Sequence, residues 1–472
     1  MGPADSALAF STLVQQRDWV AGGEVWSREL VEHSLAEIER LDPVLNAFCA
    51  VRAVEARAEA DALDAEAETG RLRGPLHGVP IAVKDENDVA GLPTAYGGVA
   101  ASTPARSDSE VVARLRAAGA VIIGKTRMPE FGIWPFTESV AHGCTRNPWD
   151  VTRSPAGSSG GTAAAVASGM VAAGIGGDGG GSIRLPASWC GLFGLKPQRG
   201  RVSTAPHPDL WRALGTLGPI TRTVADSALL YDVIAGSTPT DRFRTGSLPG
   251  SLADAATTDP PRLRIGVSLR NPTRGPAVDD ESAAAVWALA DRLRAAGHVV
   301  TDTDPHYPGV VLPFGVQMLA GIAEEATRVE RPELLERNTR RMARLGRLAS
   351  VVAGWAERRA ERVAAEFLTG LFTDHDVLLT PTTATTALPV GQLDAHRFVG
   401  LTRLAADVAS YTALWNVLGN PAAAVPIGFD AAGLPQSAQL VGPPGGEPLL
   451  MSLAGEIEAG HPDPGRCPDI AL

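Results

Sequence analysis

Apolar positions along the chain switch between two periods. From Ser27 onward, Leu30, Val31, Leu35, Ile38 and Leu41 recur at helical spacing. This predicts a helix that Ser27 caps and Pro43 ends, within a stretch (residues 5–70) that reads as helical. In Gly78-Val-Pro-Ile-Ala-Val-Lys84-Asp85 the period drops to two. Alternation sends Ile81 and Val83 to one face and Ala82 and Lys84 to the other, so Lys84 closes a buried strand in front of a loop. Ser109 to Ala118 predicts a second helix, Gly119 its stop, and Ala120 to Ile123 a strand. The same grammar returns from Asp280 to Val300, with Gly297 as the stop. Such helix-then-strand units predict an α/β fold with a mixed, largely parallel twisted sheet covered by helices on both faces. Late in the chain, 424–428 and 436–441 flank Asp430-Ala-Ala-Gly433 as a hairpin. Nothing reads as a repeat or long linker, so residues 1–472 are expected to form one large domain. The segment from 270 to 400 is the least regular and is expected to cap a substrate.

Composition narrows the partners. An apolar fraction of 44% with 20% charged residues is that of a globular protein with a substantial core. The formal net charge is −11 and no basic block occurs, which argues against nucleic acid and anionic membranes. The Ala/Gly-rich run from Thr162 to Gly177 is too small-residue to span a bilayer. Cys49, Cys144, Cys190 and Cys467 form no CxxC pair, which argues against a disulfide frame or zinc site and for a reducing compartment. The N-terminus lacks a secretory pattern, and although Met1-Gly2 with Ser6 fits an acylation motif, Pro3 follows directly. A cytoplasmic monomer or homodimer without metal or cofactor is expected. Only three lysines occur, Lys84, Lys125 and Lys196, against 39 arginines. A guanidinium cannot act as a proton acceptor, whereas an ammonium can be tuned to do so.

Two short motifs match by letters and not by context. Gly119-Ala-Val-Ile-Ile-Gly124-Lys125-Thr126 fits GxxxxGK[ST], but a phosphate loop must follow a strand and open a helix. Here the helix comes first and the intervening residues read as a strand, which places Lys125 at a strand end on the sheet edge. Gly157-Ser158-Ser159-Gly160-Gly161 fits the GxSxG elbow, which needs a strand entering. What enters is Asn147 to Pro155, with two prolines and no alternation.

The run from Ser154-Pro-Ala-Gly-Ser158-Ser159-Gly-Gly continues through Gly176-Gly-Asp178-Gly179-Gly180-Gly181-Ser182-Ile-Arg184 to Lys196-Pro197 and Arg-Val-Ser203. In this run the chain closely resembles the amidase signature family, with a core signature region over 75–235. The resemblance implies hydrolysis of carboxamide C–N bonds through an acyl-enzyme. It implies Ser182 as nucleophile, Ser158 as a bridging serine after a cis peptide, and Lys84 as base. The separations of 74 positions from Lys84 to Ser158 and 24 from there to Ser182 fit the family pattern. The chemistry agrees. A serine hydroxyl needs a base within hydrogen-bond reach; Ser158 can pass the Ser182 proton to Lys84, which must be neutral and which burial in an apolar strand would favour. An alkaline optimum reached through a single ionisation is expected.

Gly179, Gly180 and Gly181 leave backbone N–H groups uncovered for an oxyanion hole. Asp178 and Arg184 are expected to pair and hold that turn, and the resemblance assigns Ser159 to orienting Ser158. Lys196, followed by Pro197, reads as structural. Ala156, Thr162 and Gly179 depart from the residues usual in the family, and none of them removes a reacting group. Phe131, Trp134, Phe136, Tyr411 and Trp415 are candidates to line a pocket for acyl, aryl or anilide groups, with ester and carbamate cleavage as side activities. The alternatives are a non-catalytic amide-binding protein and a glutamyl-tRNA amidotransferase A-type subunit. The second is disfavoured because Thr204-Ala-Pro-His-Pro-Asp-Leu-Trp211 stands where such proteins have a tyrosine- and serine-rich stretch.

Overall fold

The computed structural model describes residues 8–470, so the Met1-Gly2 acylation pattern lies outside the described residues. Eleven strands form one sheet: β1 (Phe48–Val51), β2 (Pro80–Lys84), β3 (Val121–Thr126), β4 (Ala173–Asp178), β5 (Phe193–Lys196), β6 (Thr216–Thr221), β7 (Arg264–Val267), β8 (Val299–Asp302), β9 (Val377–Pro381), β10 (Ala422–Phe429) and β11 (Pro435–Val441). Their spatial order is β1-β3-β2-β4-β6-β5-β10-β11-β9-β7-β8. The sheet is mixed. Parallel pairing occupies two blocks, β3-β2-β4 and β9-β7-β8. The middle, from β4 through β6, β5, β10 and β11 to β9, is antiparallel, as is β1 against β3. The helix-then-strand units legible in the sequence build the parallel blocks, whereas β10 and β11 form a hairpin whose neighbours β5 and β9 pair antiparallel with it over long connections.

Thirteen helices matter to the layers: α1 (Leu13–Ala21), α2 (Ser27–Leu45), α3 (Ala53–Glu68), α4 (Glu110–Ala117), α5 (Gly160–Ala167), α6 (Arg184–Cys190), α7 (Val224–Ile234), α8 (Asp280–Ala295), α9 (Val311–Glu325), α10 (Arg337–Asp374), α11 (Phe398–Val408), α12 (Ala413–Leu418) and α13 (Glu447–Ala459). One face of the sheet packs against α1, α4, α7, α8 and α13, and receives Ile81 and Val83. The other packs against α2, α3, α5 and α6 around Ala82, and against α10 and α12 further along. The alternation read in β2 is thus the division between two cores. Within 270–400, α8, β8 and β9 belong to the sheet and its cover, while α9 packs on α10, whose later turns lie on the sheet face.

Three local expectations change. Ser27 is the first residue of α2 and does not cap it; Asp64 of α3 accepts the N–H groups of Ser27 and Arg28 at 2.7 and 3.0 Å and caps the helix from outside. Pro43 lies inside the last turn, where its missing N–H removes a single bond, and the helix runs on until Asn46 turns left-handed (φ 52°). Lys125 stands inside β3, which continues to Thr126 and is covered at its edge by β1. Its Nζ lies 2.8 Å from Asp85 and donates to Pro93 O and Thr94 Oγ1 at 2.9 and 3.0 Å, so the GxxxxGK letters describe a helix stop and a buried strand. Among the described residues, no helix is long and apolar enough to cross a membrane, and no group of three or more His, Cys, Asp or Glu side chains is arranged to hold a metal ion.

Candidate active site

β2 and β4 are adjacent parallel strands, with Val83 opposite Ile175. Lys84 and the Gly177-Asp178 end of β4 therefore leave the sheet side by side at its carboxyl edge, where open α/β sheets place ligands. Lys84 is 1% exposed. Its Nζ donates to Ser158 Oγ at 2.8 Å and to Gly177 O at 3.3 Å, and lies 3.2 Å from Glu86 Oε1. Burial pushes the ammonium below its ordinary range, opposed by the negative charges of Glu86 and Asp178.

Ser158 lies in the loop that enters α5, after a cis Gly157–Ser158 peptide. Gly132 (φ +68°) packs against it; a Cβ there would fall 2.9 Å from Ser158 Oγ. Ser182 sits in the turn between β4 and α6. Lys84, Ser158 and Ser182 line one small chamber, together with Glu86, Tyr96 and Trp211. Among the described residues the Lys84–Ser158 contact is the one hydrogen bond joining these three side chains; bonds of this kind often tighten only when substrate is bound. Ser159 does not touch Ser158 through its hydroxyl. That hydroxyl donates to Gly177 O at 3.2 Å and accepts the Gly177 N–H at 3.3 Å, while the Ser159 N–H donates to Ser182 O at 3.3 Å. It ties the two serine-bearing loops to β4, and the GxSxG elbow reading fails because no strand enters it.

Beneath the turn, Asp178 and Arg184 pair at 3.0 Å with no exposed side-chain surface. Arg184 also donates to Gln439 Oε1 at 2.7 Å, Asn416 Oδ1 at 2.6 Å and Thr412 O at 3.1 Å. Burial alone would raise the Asp178 carboxyl, but the Arg184 charge and the Asn416 amide outweigh it and hold the group below the usual carboxylate range. Asp178 accepts the N–H of Gly181 at 2.7 Å and of Ile183 at 3.1 Å. Gly181 is thereby removed as an oxyanion donor, since its N–H is already engaged by the carboxylate below. Gly179 and Gly180 remain of the three, and the Ser182 N–H joins them as a candidate. Lys196 donates to Pro197 O and Asn420 O and lies apart from this chamber.

The aromatic candidates divide. Phe131 lines the chamber, and Trp134 lines a larger adjoining cavity of about 360 Å³ that also reaches Ser182 and Gly180. Phe136 stacks on Trp134, centroids 5.9 Å apart, from within the core. Tyr411 and Trp415 are buried: Tyr411 donates to Leu269 O at 2.7 Å, and Trp415 Nε1 donates to Tyr411 O at 3.0 Å. Tyr411 lies in the turn before α12 and Trp415 within it, and both rings face the core. The cavity wall comes instead from Trp211, Phe314, Met318 and Met342. Trp211 borders both spaces and covers Gly179 so closely that a Cβ there would lie 2.7 Å from the ring. It begins a run of three left-handed residues, Trp211, Arg212 and Ala213 (φ 47°, 48° and 74°). That run is pinned by Arg212 to Glu357 at 2.9 Å and by Gln317 to Arg212 O at 3.0 Å. Glu86 carried no periodic signal, because β2 ends at Lys84 and a turn closed by the Asn87 N–H on Lys84 O at 3.0 Å brings the carboxylate back to the site. Phe314 and Met318 carried only an i,i+4 spacing.

The amidase family profile matches residues 29–451. Over the full length of both chains the sequence is 44% identical to AmiB2 of Mycobacterium tuberculosis, which carries an amidase name. It is 35% identical to the A-type subunit of glutamyl-tRNA(Gln) amidotransferase from a Synechococcus strain, over 94% of this chain and 96% of that one. Among solved structures it is similar to 6-aminohexanoate cyclic dimer hydrolase, with a TM-score of 0.91 and 31% identity over 98% of this chain and 99% of that chain. The chain belongs to the amidase signature family and is a hydrolase of amide C–N bonds.

Proposed function

We propose that this amidase works alone on small carboxamides through Ser182, Ser158 and Lys84. Neutral Lys84 takes a proton from Ser158, which takes one from Ser182 as its oxygen attacks the carbonyl carbon. The oxyanion is held by the N–H groups of Gly179, Gly180 and Ser182. The proton returns through Ser158 to the leaving amine, and water then hydrolyses the acyl-enzyme by the reverse route. The observation that carries this reading is the 2.8 Å contact from Lys84 to Ser158 in a buried chamber that Ser182 shares. The cavity of about 360 Å³, walled by Trp134, Trp211, Phe314 and Met318, fits an apolar acyl or aryl group. Esters and carbamates of similar shape share the tetrahedral route and are side substrates. Four unpaired cysteines accord with work in a reducing cytoplasm.

The test is amine release from a panel of acyl p-nitroanilides and short amides. Turnover that disappears in Ser182→Ala and Lys84→Ala supports the reading, and wild-type turnover in either variant refutes it.

A further inference from the structure

We infer that Glu86 is a positioning residue for the base: its carboxylate holds a proton on Lys84 in the resting enzyme and sets the pH above which the site works. The inference rests on the proposed role of Lys84 as base. Three acceptors surround Nζ, namely Ser158 Oγ at 2.8 Å, Glu86 Oε1 at 3.2 Å and Gly177 O at 3.3 Å. An ammonium has three protons and satisfies all three. A neutral amine has two, and its lone pair must then face one of the acceptors. That acceptor can be only Ser158, whose hydroxyl can also donate, so both forms of Lys84 can be satisfied by hydrogen bonds and the balance between them is set by charge. Of the three acceptors, only Glu86 carries a charge.

Glu86 sits close against the end of β4. Its Oε1 is buried and makes no hydrogen bond among the described residues beyond its ion pair with Lys84. It presses on Gly177, where a Cβ would fall 1.9 Å from that oxygen. Gly177 is in turn fixed by Ser159. The other charged and titratable groups around the chamber are engaged elsewhere. Asp178, at the end of β4, is paired with Arg184 at 3.0 Å. Asp85 is paired with Lys125 at 2.8 Å. Glu325, at the end of α9, is paired with Arg328 at 2.7 Å, and the Tyr96 hydroxyl meets His207 Nε2 at 3.2 Å. Glu86 is the charge in direct contact with Lys84, and Asp178 adds a smaller effect of the same sign from beneath the turn. Burial and Glu86 thus pull in opposite directions on the same ammonium. As pH rises the ammonium loses one proton to solvent, and the contact with Ser158 reverses, with the serine donating to Nζ.

Glu86→Gln keeps the shape and removes the charge. The rising limb of kcat/KM against pH then moves to lower pH by about 1–2 pH units, and Glu86→Asp, which keeps the charge, moves it less. The pH dependence of fluorophosphonate labelling at Ser182 reads the same ionisation without turnover, and is expected to shift likewise. A limb that stays in place in Glu86→Gln by both measurements overturns the inference, as does an Asp variant that shifts as far as Gln. Retained activity in Lys84→Met is a separate outcome that overturns the base assignment itself.

Discussion

Replacing Asp178 with Asn removes one charge from beneath the turn that carries Ser182 while preserving its shape. The carboxylate accepts from the backbone of Gly181 and Ile183, from the Arg184 guanidinium and from the Asn416 amide. With Asn in its place, Arg184 keeps Thr412 O, Gln439 and Asn416 as acceptors but loses its counter-charge, in a position with no exposed surface. Removing one partner of a buried pair costs about 3–5 kcal/mol, and Asp178→Asn is expected to lose that much. Arg184→Met leaves Asp178 with its backbone and Asn416 donors, so its loss lies toward the lower end. The double variant loses less than the sum, with a coupling of roughly 1–3 kcal/mol. The pair also carries a pH signature. The folded carboxyl lies below its unfolded value of about 3.9, so the stabilisation is complete above that pH and is lost as pH falls through the folded value. Asp178→Asn therefore flattens the acid limb of the stability curve. Urea unfolding followed by the fluorescence of the nine tryptophans measures all of this, at neutral pH and through an acid series. A midpoint for Asp178→Asn equal to wild type, or additive single variants, would refute the claim that this network holds the turn.

Four further outcomes follow from the geometry. Gly181→Ala places a Cβ 2.3 Å from Thr412 Oγ1 at φ +133°, and kcat is expected to fall by roughly 10²-fold or more as the turn shifts, measured on a p-nitroanilide. In wild type, kcat/KM rises with pH through one ionisation whose midpoint lies below the ordinary lysine value of about 10.4, and is lost as pH falls and Lys84 protonates. Lys84→Arg shows no such limb and negligible turnover, because a guanidinium stays charged. Phe314→Ala lowers kcat/KM for aryl amides by about tenfold or more while leaving short acyl amides little changed, as a substrate series would show.

Much of the fold is legible in the order of residues. Alternation through Ile81, Ala82, Val83 and Lys84 divides between two cores in the fold, because a buried strand with period two has no other arrangement. The helix-stop-strand units around Gly119 and Gly297 were equally legible, since both glycines take positive φ. The cavity wall was not. Tyr411 and Trp415 are as aromatic as Trp211, but whether a ring faces the core or a cavity depends on which side of a helix or turn meets the sheet. Trp211 reaches its place through three left-handed residues held by Glu357 and Gln317, partners more than a hundred positions away. The capping of α2 by Asp64 and the engagement of Gly181 by Asp178 are likewise tertiary, and sequence spacing alone does not specify them.

Mass spectrometry of the protein after treatment with a fluorophosphonate tests the assignment of the nucleophile most directly. The account predicts a single adduct, on the peptide containing Ser182, forming faster as pH rises and absent in Ser182→Ala. An adduct on Ser158 or Ser159, or full amidase turnover with Ser182 unlabelled, would contradict it.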